Sequence, residues 1–415
     1  SVFVRFTASE AFVGKIFHSI RIDNLSPYET AHGKLTVPLI KNETARHYVV
    51  LSNISSYPSL GSPRMTSDDS ENLYASWEGI SISGRERLTV TLEYLVCSFA
   101  TKYLVNLSYS TKYENSLEIY AKYTAPEYLI QSDNAQIILT AQNITANVNT
   151  TAAKVSKIYD FVVKHLTYEE QYEEKGALWA LANKKGDCSE YSYLFTALCR
   201  ASGIPARVKA GFAFHFSSET TENGHMWAEY YIEDYGWVPV DATWKQFNAL
   251  DNKHFCSLQS YPELKPYANY YFTFTRGYAV EETQTVTIRP ASTSVFGDDS
   301  LVANLSLAIQ KMNEAETILT FGRLIGASWV VPTQNEESTQ SLWHCNILLQ
   351  ETVEKFDAGK TEALLAKAQD AAQQAWSTVF AALLLYLGFA ALFAVVVLVA
   401  LTLSQVKRQK PYRML

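Results

Sequence analysis

The chain has 415 residues, enough for two or three domains with substantial cores. Hydrophobic residues make up 47% and charged residues 19%, which excludes a chain disordered along its whole length. The formal charge of −7 argues against a nucleic-acid partner, because phosphate binding needs a basic surface. The chain opens at Ser1 without a signal-like apolar core, which is the expectation for a processed chain.

In chain order, residues 1–148 read as short strands, and the expectation is a β-sandwich. Ile20–Asp23, Lys34–Val37, His47–Leu51, Leu88–Val96 and Tyr103–Leu107 are apolar runs or alternate with period two. Ser, Asn, Gly and Pro clusters separate them. Asn-x-Ser/Thr sequons begin at Asn24, Asn42, Asn53, Asn106, Asn143, Asn149 and Asn304. None falls in 151–303. Asn24 is a poorer acceptor because Leu-Ser-Pro follows it.

The pattern changes after residue 148, and 149–292 is expected to form a second, α+β domain. Val155, Ile158, Val162 and Leu166 have helical spacing. A second helix begins at Cys188 and stops at Gly203-Ile204-Pro205. Strands are predicted at 207–216, 226–233 and 237–241, and a strand-rich stretch at 269–288 closes the region. Apolar seams at Leu301, Leu305, Ala308, Met312, Ala315 and Leu319, and at Leu365, Ala368, Ala372, Ala375 and Val379, predict a helical stalk over 300–377. Gly322 to Thr339 is expected to be a loop. The seams suit an intramolecular hairpin or an oligomer equally well.

Residues 378–403 carry no charge and are long enough to span a bilayer. Lys407, Arg408, Lys410 and Arg413 follow, without Asp or Glu. Positive charge beside a span marks the cytoplasmic side. The expectation is a single-pass protein of the cell membrane, with the N-terminal part outside and a basic tail, 404–415, inside.

The five cysteines are Cys97, Cys188, Cys199, Cys256 and Cys345, none in Cys-x-x-Cys spacing. A structural zinc site is therefore not expected. Outside the cell up to two disulfides can form, and buried free thiols are the alternative. Cys188 differs from the rest. Asp187 stands at an N-cap position with Glu190 three residues later, a capping box that makes Cys188 the first helical residue. The helix dipole there favours a thiolate. His225 and Asp241 lie on successive predicted strands and can add a base and its orienting carboxylate. A Cys-His-Asp set performs acyl transfer through a thioester. Trp179 and Tyr168 are candidates for a second oxyanion donor beside the Cys188 N–H, and Trp227 for a cleft wall. The register is the weak point: a two-residue turn at Asp234-Tyr235 would put His225 and Asp241 on opposite faces.

Gly186-Asp187-Cys188, the run Ala197–Arg207, His225–Glu229 and Trp237–Asp241 together resemble the transglutaminase-like superfamily of papain-like cysteine enzymes. The resemblance covers residues of about 150–260. It implies Cys188 as nucleophile, His225 as base, Asp241 as orienter, and no metal or cofactor. The β-domain and C-terminal anchor are similar to those of archaeal surface proteins that carry this domain.

The preferred reaction is hydrolysis of a peptide or amide bond of a protein substrate at the cell surface. Protein cross-linking to an amine acceptor is the alternative. Peptide N-glycanase ranks lowest, because its paired Cys-x-x-Cys ligands are absent from the sequence. The competing class is a non-catalytic anchor, adhesion or scaffold protein with surface-layer partners.

Overall fold

The computed structural model describes residues 5–9, 11–43, 46–260 and 267–408, with side chains through Ser404. The fold is mixed α/β. The tail cations Lys410 and Arg413 lie outside the described residues, as do the side chains of Lys407 and Arg408.

Two antiparallel sheets form the first unit. The strands Phe12–Asn24, His47–Tyr57 and Arg87–Ser98 pair in one; Ala31–Pro38, Arg64–Ser67 and Leu73–Ile82 pair in the other. Their alternating apolar residues, among them Ile16, Ile20, Leu35, Trp77 and Val90, meet in one buried core. Each sheet gains a strand from much later in the chain. Asn269–Thr273 pairs with Ala31–Pro38, and Val280–Pro290 pairs with Phe12–Asn24. The stretch expected to close the second domain is therefore built into the first. Sequence patterning finds such strands but carries no record of their partners.

Residues 117–124 and 135–145 are helical, not β, although they precede the expected boundary. Ile137 and Ala141 of the second helix are buried in the same core as the helix Cys188–Ala201. That central helix is buried along nearly its whole length, from Ser189 to Arg200. A capping box starts it at Asp187, and Gly203, at φ +72°, ends it. It lies in one core with the sheet strands Ala206–Ala213, His225–Ile232 and Gly236–Asp241, through Val208, Ala210, Met226, Ala228 and Tyr230. Arg200 ties the helix to the next strand, donating from Nε to the Ala206 carbonyl at 2.8 Å.

The C-terminal part is helical: Asp299–Leu324, Ala327–Val330, Pro332–Lys355 and Ala358–Arg408. The expected loop after Gly322 is thus mostly helix. Pro332 starts the third helix rather than breaking one, because a first helical residue needs no N–H. The apolar seams meet inside the chain: Leu305, Ala308 and Met312 share a core with Leu364, Ala368 and Ala375. Leu365 is only partly buried, and Leu364 takes the interior position. The helices are fastened to the sheets by Asn346, whose Oδ1 accepts from the backbone N–H groups of Arg5 (3.0 Å) and Phe6 (3.3 Å).

The last helix changes character at Leu383. Ala382 is fully buried, whereas every residue from Leu383 to Leu403 is exposed. That stretch is about 32 Å long at 1.5 Å per residue, close to the roughly 30 Å hydrocarbon core of a bilayer. Among the described residues, Ala358–Ser404 is the one helix long and apolar enough to cross a membrane.

Of the sequons, Asn24 is buried, with its Nδ2 donating to the Glu29 and Ile82 carbonyls, both at 2.8 Å. A folded chain cannot offer it to a glycosylating enzyme. Asn42, Asn53, Asn106, Asn143 and Asn149 are exposed, and Asn304 is partly so. All five cysteines are free thiols.

Candidate active site

The site is built on the N-terminus of the central helix. Asp187 accepts from the Ser189 N–H at 2.9 Å, and Glu190 Oε2 accepts from the Asp187 N–H at 3.1 Å. Cys188 is thereby held as the first helical residue, half-exposed at the foot of a cleft of about 360 Å³. Gly186 has to be glycine: a Cβ there would lie 2.3 Å from Glu190 Cβ and break the cap.

His225 begins its strand and Asp241 ends the next. The loop between them is Glu233-Asp234-Tyr235, since Ile232 pairs with Gly236. Three residues rather than two shift the register by one, so Ala228 faces Val240 and not Asp241. His225 and Asp241 therefore point to the same side. Asp234 (φ +72°) and Gly236 (φ +79°) supply the left-handed backbone that this loop needs.

Asp241 Oδ2 accepts from His225 Nε2 at 2.6 Å. This leaves the other ring nitrogen, Nδ1, for Cys188, which lines the same cleft. Burial disfavours the His225 imidazolium, but the Asp241 carboxylate and then the neighbouring Cys188 outweigh it and raise the ring to about 9. Asp241 is fully buried; that burial would raise its pKa, yet the two imidazoles bonded to it hold it well below the usual carboxylate range.

The second imidazole belongs to His254. Its Nε2 lies 3.1 Å from Asp241 Oδ2, and its Nδ1 lies 2.8 Å from Asp251 Oδ1. His254 is fully buried, and its two carboxylate partners raise it against the cost of burial. Sequence alone favours a surface place for His254 over one lining the cleft. Only the pairing of its strand with Ala206–Ala213 brings it behind the site. Trp244 was missed. Its ring lies 4.9 Å from the His225 ring and its backbone N–H donates to Asp241 Oδ1 at 2.9 Å. Tyr267 accepts from the Gly224 N–H at 2.8 Å and lines the cleft.

Of the other expected residues, Tyr168 lines the cleft. The pairing of Thr167–Tyr168 with Lys185–Gly186 sets it beside Cys188. Burial, then the neighbouring Cys188, pushes its phenol up to about 12, so it keeps its proton at neutral pH. Trp179 does not line the cleft; it sits on the separate short helix Gly176–Asn183, and the wall is made by the preceding segment 168–174. Trp227 is fully buried with its ring centroid 6.2 Å from that of His225, so it packs behind the histidine rather than facing a substrate.

His225, Asp241 and His254 bring their ligand atoms within 4.8 Å of one another, spacing that could hold a metal ion. Both imidazoles, however, already bond to one oxygen, Asp241 Oδ2, and a cation there would compete with those bonds.

Residues 139–242 match the model of the transglutaminase-like superfamily. The chain carries a transglutaminase-like domain. The domain contains Cys188, His225 and Asp241, and the match begins inside the helix Ala135–Thr145, before the boundary expected from sequence. A protein-glutamine gamma-glutamyltransferase of Pseudomonas aeruginosa is 33% identical over 69 residues, 15% of this chain and 10% of that protein. The uncharacterized protein YebA of Bacillus subtilis is 26% identical over 114 residues, 24% of this chain and 16% of its own. The likeness to both thus spans under a fifth of their length. Among solved structures, a candidate cysteine protease from Cytophaga hutchinsonii superposes with a TM-score of 0.50 at 17% identity. It covers 68% of this chain and 100% of that one, a likeness of fold. The apolar C-terminal helix lies outside the family match.

Proposed function

We propose that the protein is a membrane-anchored cysteine enzyme whose transglutaminase-like domain transfers acyl groups through a thioester on Cys188, with hydrolysis of a peptide or amide bond as its reaction. The observation that carries this reading is that Cys188 and His225 line one open cleft while His225 is hydrogen-bonded to the buried Asp241. A protonated His225 is the counter-ion that a Cys188 thiolate needs. The Sγ attacks the substrate carbonyl carbon, and the oxyanion is stabilised by N–H groups at the helix start together with the Tyr168 hydroxyl. The C–N bond then breaks, and the departing amine takes the His225 proton. Water attacks the thioester, His225 takes its proton, and the carboxylic acid leaves as the thiolate re-forms.

A second reading, amine transfer, is favoured by one feature. Glu170, Glu173, Glu174 and Asp187 line the cleft and no Lys or Arg does, among the described residues. Such a rim suits a cationic substrate, including a lysine amine as acceptor. Supplying peptide amide substrates with and without a primary amine, and measuring the new carboxylate formed and the amine incorporated, separates the two. Hydrolysis alone supports the first reading, incorporation supports the second, and neither with Cys188 intact overturns both.

With the apolar C-terminal helix as anchor, the domain would stand outside the cell, as the cations after the span suggest.

A further inference from the structure

The short helix Ala327–Val330 joins two helices of the C-terminal part and has no role in the site. It carries Trp329, which is 88% exposed, and Leu324, five residues earlier, is 82% exposed. Two large apolar side chains this exposed within one short segment leave apolar area in water unless a partner covers it. From Thr317 to Asn335 the only charged residue is Arg323, and acidic residues resume at Glu336.

The position of this turn along the last helix is fixed. Ala327 and Val331 pack on Ala382, and the Tyr386 hydroxyl donates to the Ile325 carbonyl at 2.6 Å. Tyr386 lies three residues past Leu383, where the helix becomes exposed on all sides, or about 4.5 Å along its axis. The turn therefore sits at the level where the exposed apolar stretch begins. Tryptophan and tyrosine collect at that level of a bilayer, with an apolar ring body and a polar edge.

We propose that Leu324–Val330 is a second, interfacial contact with the bilayer, with Trp329 seated at the boundary of headgroups and acyl chains. The proposal rests on the reading of Ala358–Ser404 as a span. One helix alone leaves a domain free to tilt; a foot fastened to the same helix sets its orientation over the membrane.

The test uses the full chain in phosphatidylcholine vesicles whose acyl chains are brominated near the headgroup or near the methyl end. The chain has eight tryptophans, so the emission of Trp329 is read as the difference between wild type and Trp329→Phe. Leu392→Trp in the Trp329→Phe background reports insertion of the span. The expected result is that the Trp329 component loses about half its emission or more to shallow bromines and less to deep ones, as an interfacial ring would, while Leu392→Trp is quenched by deep bromines. A quenched Leu392→Trp with an unquenched Trp329 overturns the foot and leaves the span standing. An unquenched Leu392→Trp overturns the span and the foot with it. Trp329 emission that ignores bromines but shifts with protein concentration assigns the surface to a second copy of the chain and also overturns the proposal.

Discussion

His225 and Asp241 share one face of the sheet because the loop joining their strands has three residues. With a two-residue turn the Nε2–Oδ2 bond could not form in a regular ladder. Gly236 closes that loop at φ +79°, with open space where a Cβ would go. Gly236→Ala therefore meets no clash, only backbone strain. It is expected to lower unfolding stability by about 1 kcal/mol, read by urea denaturation. An unchanged stability would mean that the loop relaxes into another geometry.

His254 gives Asp241 one of its three hydrogen bonds and Asp251 its imidazole partner. His254→Phe leaves buried carboxylate oxygens without those donors, a loss of about 1–3 kcal/mol. It also removes a hydrogen-bond partner that shares Asp241 Oδ2 with His225, so the carboxylate acts more fully on His225. The alkaline limb of any activity governed by His225 is expected to move upward. Loss of stability without such a shift would reduce His254 to a packing role.

Protonation of His225 is linked to folding. Its folded value of about 9 lies above the ordinary 6.5. Protonated His225 thus adds stability that is complete below about pH 6.5 and is lost as pH rises through about 9. The melting temperatures of wild type and His225→Gln should differ more at mildly acid than at strongly alkaline pH. A constant difference would contradict the raised value.

Tyr168 stands in the cleft with its proton held at neutral pH. As an oxyanion donor its loss should fall on turnover rather than on binding. Tyr168→Phe is expected to reduce kcat about 100-fold with KM little changed. A change confined to KM would make Tyr168 a substrate wall instead.

Much of this arrangement is legible in the sequence, for local reasons. The capping box at Asp187 and Glu190, the stop at Gly203 and the uncharged span are all set by neighbours within a few residues. Trp244 was not legible as a site residue, and His254 was legible only as the weaker alternative to a surface place. His254 reaches Asp241 through strand pairing, and Trp244 through a turn whose geometry depends on Asp241 itself. The pairing of Val280–Pro290 with Phe12–Asn24 escaped for the same reason: period-two patterning shows that a strand exists, not which edge it joins. The loop parity between His225 and Asp241 lay between these extremes. The residues were evident, but three against two loop residues could be read only from the ladder.

The central claim is an activated thiol at Cys188, and the other cysteines make it simple to test. Cys97, Cys199, Cys256 and Cys345 are buried, and burial pushes the Cys97 and Cys345 thiols up to about 12. A small electrophile at neutral pH should therefore report Cys188 in the folded chain, with Cys188→Ala as the blank. The account predicts rapid labelling in wild type and labelling at least about tenfold slower in His225→Ala, since the imidazolium partner of the thiolate is gone. Labelling at the rate of an ordinary thiol, indifferent to His225, would contradict it.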